Sequence, residues 1–244
     1  HILVPQVGYS SSLQIKDRNK RIRYGLAETG RMPLLEDKSS HTKNMLRQDS
    51  DYIQLRSTVS TALTQIAVAP GQLKTQWVKG DRRYFRYESD VPVMNFYSYL
   101  SAEYSVARER WQDVDIEVYY HDAHHYNLDR MIDSVKSSLN YYSQAFGPYQ
   151  YDHLRIVEFP AYREFAQAFP GTIPFSEGIG FIADVTDPDK LDLPFYVTAH
   201  EVAHQWWGHQ VMAANTQGAS MLMETLAQYS ALMVMEARYG KHKV

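Results

Sequence analysis

Cysteine is missing from all 244 residues. Its absence excludes a disulfide framework and any zinc site built on thiolates, and it leaves the compartment open. No apolar run approaches the roughly 18 residues needed to span a bilayer, so the sequence holds no membrane segment. There is no excess of charge of either sign. Lys and Arg number 25 against 28 Asp and Glu, a formal net charge of −3, and this excludes the basic footprint of a nucleic-acid binder. Internal repeats and low-complexity tracts are absent too. The chain opens at His1 with no signal-peptide pattern, and it reads as an excised piece of something longer. What is abundant is apolar matter, 44% of the residues, enough for a packed core. The mixed run Lys16–Arg23 reads as a solvated segment.

The patterning divides the chain into three stretches: 1–50, 51–109 and 110–244. The first is polar and broken by Gly25, Gly30 and Pro33. It reads as an extended connecting segment on the surface. From Tyr52 the period changes to 2. Tyr52–Val59, Gln65–Ala69, Leu73–Val78, Arg83–Tyr87 and Asn95–Val106 read as strands, divided by Pro70-Gly71, Gly80-Asp81 and Asp90–Pro92. Short turns between consecutive strands predict an antiparallel β domain. A second unit begins near Arg110 with an alternating strand, Val114–Tyr120. Leu128, Met131, Ile132, Val135, Leu139, Tyr142 and Phe146 then follow helical spacing, with Asn127 as cap and Gly147-Pro148 as stop. A short strand, Leu154–Phe159, and helices near 194–212 and 219–239 complete an α+β reading. Gly240 stands where a glycine commonly ends a helix.

The chemistry is concentrated in His200-Glu201-Val202-Ala203-His204. On a helix, residues four apart share a face about 5–6 Å apart, so both imidazoles can meet one ion. Glu201 is turned by about 100° from His200. It can reach a water on the ion as general base without binding the metal, the arrangement of zinc metallopeptidases. A third ligand is needed, and the surrounding sequence is sparing with charge. No Lys or Arg occurs between Lys190 and Arg238, and from Leu193 to Met235 the only acids are Glu201 and Glu224. Helices so poor in charge are expected to be buried. A buried carboxylate must pair or bind a metal, and this selects Glu224. One Zn2+ per chain is expected. Gln228, four residues beyond Glu224, is a candidate to orient a ligand imidazole.

Other residues weigh less. His121, His124 and His125 read as an exposed polar loop. His209 reads as a surface residue or a neighbour of the ligands. Tyr229 reads as core or as a neighbour of the site, and Trp206 and Trp207 as core.

His200–His204 followed by Gln205-Trp206-Trp207-Gly208 and then Glu224 resembles the aminopeptidase N-like gluzincins. The resemblance implies a thermolysin-like catalytic domain over 110–244, preceded over 51–109 by the end of a saddle-like β domain. Ser176–Ile182 resembles the G-x-M-E-N exopeptidase motif together with the residues after it. Glu177 then falls on the glutamate that holds the substrate's free α-amino group. Tyr126–Val135, Ile179–Asp184 and Leu226–Met235 are closer still to the peptidase domains attached to bacterial ABC-type permeases. That likeness implies a parent protein in a bacterial cell membrane with an extracytoplasmic peptidase domain, of which this chain is a soluble piece.

The sequence departs from the family in three ways. His204 and Glu224 are separated by 19 residues, one more than is usual, and a bulge or longer loop within Met212–Ser220 is expected to absorb it. The exopeptidase motif keeps its glutamate but not its neighbours. The family's oxyanion-stabilising tyrosine and helical C-terminal domain would lie beyond Val244. A cut there is expected to bare apolar surface that favours self-association and to leave this piece a weak catalyst.

The expected function is zinc-dependent hydrolysis of a peptide bond, releasing N-terminal residues from a peptide with a free N-terminus. The alternatives are an endopeptidase on the same zinc site and a non-catalytic binding module of a transporter-like membrane protein. An intact Glu201 argues against the last, because a purely structural zinc site needs no base.

Overall fold

A computed structural model describes residues 14–46 and 51–243; the rest of the expected connecting segment, 1–13 and 47–50, lies outside the described residues. The elements in chain order are α1 (Arg18–Arg23), β1 (Tyr52–Ile53), β2 (Arg56–Ala62), β3 (Ile66–Val68), β4 (Gln72–Lys79), β5 (Arg82–Glu88), β6 (Val93–Met94), β7 (Leu100–Ala102), β8 (Ser105–Trp111), β9 (Val114–Tyr120), α2 (Leu128–Ala145), β10 (His153–Phe159), β11 (Thr172–Ser176), α3 (Leu193–Ala203) and α4 (Leu226–Tyr239). A π turn, Met221–Thr225, leads into α4. Among the described residues no helix is long and apolar enough to cross a membrane.

The first part is antiparallel. β5 lies between β2 and β4, while β1 pairs with β6 and β3 with β7. Phe85 and Tyr87 on β5 bury against Ala67 and Ala69, and the Tyr87 hydroxyl donates to Ala67 O at 2.9 Å. The period-2 run from Tyr52 is split in two. At the break, Leu55 N–H donates to Ser89 Oγ and Ser89 N–H to Leu55 O. The run expected over 95–106 is likewise interrupted, and only Leu100–Ala102 and the start of β8 are strand.

The second sheet has the order β11-β10-β9-β8, with β8 antiparallel to β9 and with β9, β10 and β11 mutually parallel. The boundary read at 109–110 therefore falls inside β8, which pairs with β9 along its whole length. Arg155 joins the two parts. It is 4% exposed, and it donates to Gly71 O at 2.7 Å and to Glu117 Oε2 at 2.9 Å.

The predicted stripe of α2 is the core. Met131, Val135, Leu139 and Tyr142 pack on Ile116, Val118, Leu154 and Ile156 of the sheet, and on Phe195, Ala199, Val202, Ala227 and Ala231 of α3 and α4. Phe146, read as part of that stripe, is 40% exposed beyond the helix end. Truncating a side chain as deep as Leu139 costs about 2–5 kcal/mol, so this layer fixes where α3 can lie.

Three sequence readings change here. α3 stops at Ala203 instead of running to 212, because Gly208 adopts φ +136° and the chain reverses. The second helix starts at Ala219 as expected, but Met221–Thr225 is a π turn where a regular α-helix was expected. The segment expected on the surface is exposed only in part. Met45 N–H donates to Ala213 O and Asn215 N–H to Lys43 O, and Met45 and Leu46 pack on Ala213, Ala219 and Met223. Residues 43–46 thus brace the loop that leads to Glu224.

Asn127 makes no side-chain cap to α2. Its buried amide donates instead to Gly180 O at 2.8 Å and Ala183 O at 2.9 Å, fastening the loop after β11 to the helix start. A cap and a fastener respond differently to substitution. Asp caps helices as well as Asn does, yet it has no N–H to give and would face two carbonyls. Asn127→Asp is expected to lower stability in urea unfolding by about 1–3 kcal/mol; an unchanged midpoint would restore the capping role.

Candidate metal centre

The start of α3 is locked by Asp192. Its carboxylate caps Phe195 N–H at 3.1 Å, accepts the Tyr239 hydroxyl of α4 at 2.6 Å and pairs with Arg130 of α2. Phe195, Thr198, Ala199 and Val202 are buried. A helix held on so many sides has one rotation available, and it turns His200 and His204 together toward the π turn. Their Nε2 atoms lie 3.1 Å apart. Glu224 Oε2 lies 3.6 Å from His200 Nε2 and 3.5 Å from His204 Nε2. Three atoms with these separations fall on a circle of radius about 2.0 Å, the bond length of zinc to imidazole nitrogen and carboxylate oxygen. The donor set therefore fits zinc in size as well as in chemistry.

The imidazoles are oriented by the backbone. His204 Nδ1 donates to Trp207 O at 2.9 Å, which puts the proton on Nδ1 and frees the Nε2 lone pair. Gly208 makes this turn possible, since a Cβ there would stand 3.3 Å from His204 O and from the Met223 methyl. Trp206 is buried as expected and donates to Gly147 O at 2.9 Å, while half-buried Trp207 donates to Ser230 Oγ at 3.0 Å and so ties the turn to α4. His200 Nδ1 is buried with no partner among the described residues.

Burial separates the two carboxylates. Glu201 is 6% exposed, and burial raises its pKa against the pull of both histidines. Glu224 is the reverse, with 63% of its side chain exposed, so the expectation that it is buried is wrong. α4 turns neutral polar and aromatic residues outward here, and scarcity of charge did not mean burial. Hydrogen bonds from His200 and His204 hold the Glu224 carboxyl well below the usual range. Burial opposes a proton on His204, but the Glu224 hydrogen bond and the Glu201 charge outweigh it, and its pKa is raised.

Between His204 and Glu224 the chain makes a loop over 212–218 and then the π turn Met221–Thr225. A π turn carries one residue more than an α turn without ending the helix. Gln228 is exposed and reaches neither imidazole; Trp207 O already occupies His204 Nδ1, so its expected orienting role falls. Tyr229, read as core or as a neighbour of the site, is 57% exposed. His209, read as surface or as a neighbour of the ligands, is 3% exposed.

Glu177 makes no contact with the three converging side chains. Its Oε1 accepts Ala161 N–H at 2.9 Å, and its Oε2 lies 3.6 Å from His124 Nδ1. His124, half-buried rather than exposed, is 2.5 Å from Glu158 Oε1, and His121 N–H holds the other Glu158 oxygen. His121 and His125 are exposed as expected. This second cluster sits where β9, β10 and β11 end. Two ligands of one ion at about 2.1 Å each stand roughly 3 Å apart. His124 Nδ1 and Glu158 Oε1, at 2.5 Å, stand at hydrogen-bond distance, and with Glu177 they bring three possible ligand atoms within 4.8 Å of one another.

Zinc uptake should be stoichiometric, one ion per chain by metal analysis. His204→Ala is expected to weaken it by more than about 100-fold, beyond the usual cost of losing a merely supporting group. Zinc must displace the imidazole protons. A raised His204 pKa means that its proton persists above the ordinary value of 6.5, so affinity should already fall as pH drops below about 7. Glu224 stays ionised through that window. Affinity that is flat between about pH 8 and 5.5 would remove the histidines from the ligand set.

The converging side chains, α3, α4, β10 and β11 all lie within residues 130–244, and that segment is similar to the family model described as the Peptidase family M1 domain.

Proposed function

We propose that the chain is a zinc aminopeptidase of thermolysin-like architecture, with His200, His204 and Glu224 as metal ligands and Glu201 as general base. The observation that carries this reading is the convergence of His200 Nε2, His204 Nε2 and Glu224 Oε2 on a zinc-sized point, with a buried carboxylate adjacent in sequence. A zinc ion held there supplies Lewis acidity to a scissile carbonyl and acidifies water toward a pKa of about 7. The protein does the rest. Burial makes Glu201 a stronger base than a solvated carboxylate. Glu201 takes a proton from the attacking water and passes it to the leaving amine.

Glu177 is assigned to the substrate's α-ammonium group. In support, its half-buried carboxylate pairs with no Lys or Arg among the described residues, and Ala161 N–H fixes one oxygen. An endopeptidase is the second reading, and the observation favouring it is that Glu177 faces His124 rather than the metal ligands. The resemblance of Tyr126–Val135, Ile179–Asp184 and Leu226–Met235 to permease-attached peptidase domains is what supports a membrane-attached parent acting on peptides.

Glu201→Gln should keep zinc and fold while losing nearly all turnover, at least about 10³-fold. Turnover retained in zinc-loaded Glu201→Gln would mean another base. Comparing free with N-acetylated peptides decides the specificity. An aminopeptidase should reject the acetylated substrate, and Glu177→Gln should raise KM for the free one. Equal rates on both substrates would establish the endopeptidase reading.

A further inference from the structure

β9, β10 and β11 run parallel, so their carboxyl ends lie at one edge of the sheet. In sheets of parallel strands that edge is where ligands commonly bind. Glu158 pairs with Phe175 in the register of β10 and β11. Side chains alternate along a strand, so Glu177, two residues past Phe175, falls on the same face as Glu158. The ladder reaches that far, since Glu177 N–H donates to Phe159 O at 3.0 Å. After β9 the chain turns back, with His124 N–H donating to His121 O at 2.7 Å, and this sets His124 against both carboxylates. Its Nδ1 is 2.5 Å from Glu158 Oε1 and 3.6 Å from Glu177 Oε2.

The cluster is short of positive charge and of protons. Glu158 is 5% exposed, and neither acid pairs with a Lys or Arg among the described residues. A carboxylate so deep is costly unless donors or a cation face it. The backbone supplies one donor to each acid, His121 N–H to Glu158 Oε2 and Ala161 N–H to Glu177 Oε1. The remaining two oxygens both face His124 Nδ1, and one nitrogen carries at most one proton. Glu158 takes it. A separation of 3.6 Å is not a hydrogen bond, so Glu177 Oε2 has no donor among the described residues. A metal ion could accept from all three atoms at once. The 3.6 Å separation equals that between His200 and Glu224. The His124–Glu158 contact would have to open by about 0.5 Å for two ligands at about 2.1 Å from one ion, and the half-buried His124 ring sits on a loop that permits it. A second imidazole stands by. The ring centroids of His121 and His124 are 4.8 Å apart, against 4.7 Å for His200 and His204, and His121 is exposed and free to turn inward.

We propose that His124, Glu158 and Glu177 form a second divalent-metal site at the carboxyl ends of the parallel strands, with His121 as its fourth ligand. Imidazole with two carboxylates suits zinc better than magnesium or calcium, which take oxygen alone. The site is weaker than the His200 centre, because an ion must first part His124 from Glu158. Resting on the peptidase reading, its occupancy also regulates: a bound ion takes Glu177 from the substrate's α-ammonium group, so excess zinc competes with peptides that have a free N-terminus.

The test titrates the whole chain with zinc. Gel filtration should leave the ion of the His200 centre, and equilibrium dialysis against excess zinc should add one more. Affinity for the added ion should fall about 100-fold or more in Glu158→Gln, past the range of a group that only supports a ligand, while the first ion stays. His204→Ala should lose the first ion and keep the second. His125→Ala, which removes an exposed imidazole from the same loop, should change neither. Should Glu158→Gln not fold, His124→Ala is read in the same way. In kinetics, excess zinc should raise KM for a free peptide at constant kcat, and Glu158→Gln should abolish the effect. A single ion at saturation, a second ion that survives both Glu158→Gln and His124→Ala, or one lost in His125→Ala overturns the inference. A KM that stays fixed while the second ion is bound removes Glu177 from the ligand set. Zinc bound at His124 but never at His200 would sink the proposed function instead and leave the second site standing.

Discussion

The site depends on one packing constraint: α3 must hold a single rotation against α2, α4 and the sheet. His200 and His204 are on the same face of one helix, so their mutual approach is local. Glu224 arrives from another element, and its 3.5 and 3.6 Å separations from the imidazoles exist only if the seam between α3 and α4 is fixed. Phe195, Ala199 and Val202 set that seam from α3, and Ala227 and Ala231 from α4. Small residues on α4 let the helices come close. Asp192, bonded to all three helices, locks the open end. An error of one rotamer at Phe195 would be felt as an error in metal geometry, because packed interiors pass on displacement rather than absorb it.

The local parts of this arrangement could be read from residue order. The α2 stripe was legible because a helix that covers a sheet must repeat its apolar residues at helical spacing. The histidine pair was legible because ligands one turn apart need no knowledge of the fold. Glu224 stands out by elimination among acids, and composition selects the right residue for a partly wrong reason. The side chain sits mostly in water, and the acid-poor stretch reflects an outward face of Gln228 and Tyr229 rather than burial. The π turn left no mark, since Met221–Thr225 contains nothing that ordinary helices avoid.

What could not be read were the partners supplied across the chain. Asn127 stands at a helix start, where capping is the usual reading, yet its amide is spent on carbonyls more than fifty residues away. His124 lies among polar neighbours in sequence and beside two glutamates in space. The group that orients His204, Trp207 O, is a backbone atom, which any residue could offer. Gly208 was the one visible sign that the helix must end early, and its weight shows only when its φ is known.

The centre is asymmetric in a way that bears on how it is stabilised. Glu201 is buried. Glu224 stands in solvent on a π turn, and among the described residues only the two imidazoles hold its carboxylate. A proton on the His204 Nε2 facing that carboxylate would have to leave before a metal could bind. An ion entering the centre would find the three ligand atoms already 3.1–3.6 Å apart and leave their positions nearly unchanged. In doing so it becomes a brace between α3 and α4 at the point where the helix is weakest, since a π turn lacks the regular bonds of its neighbours. Ion binding and local stability at Met221–Thr225 are then one equilibrium. Residues 43–46, packed on Met223 from the far side, support the turn in either state.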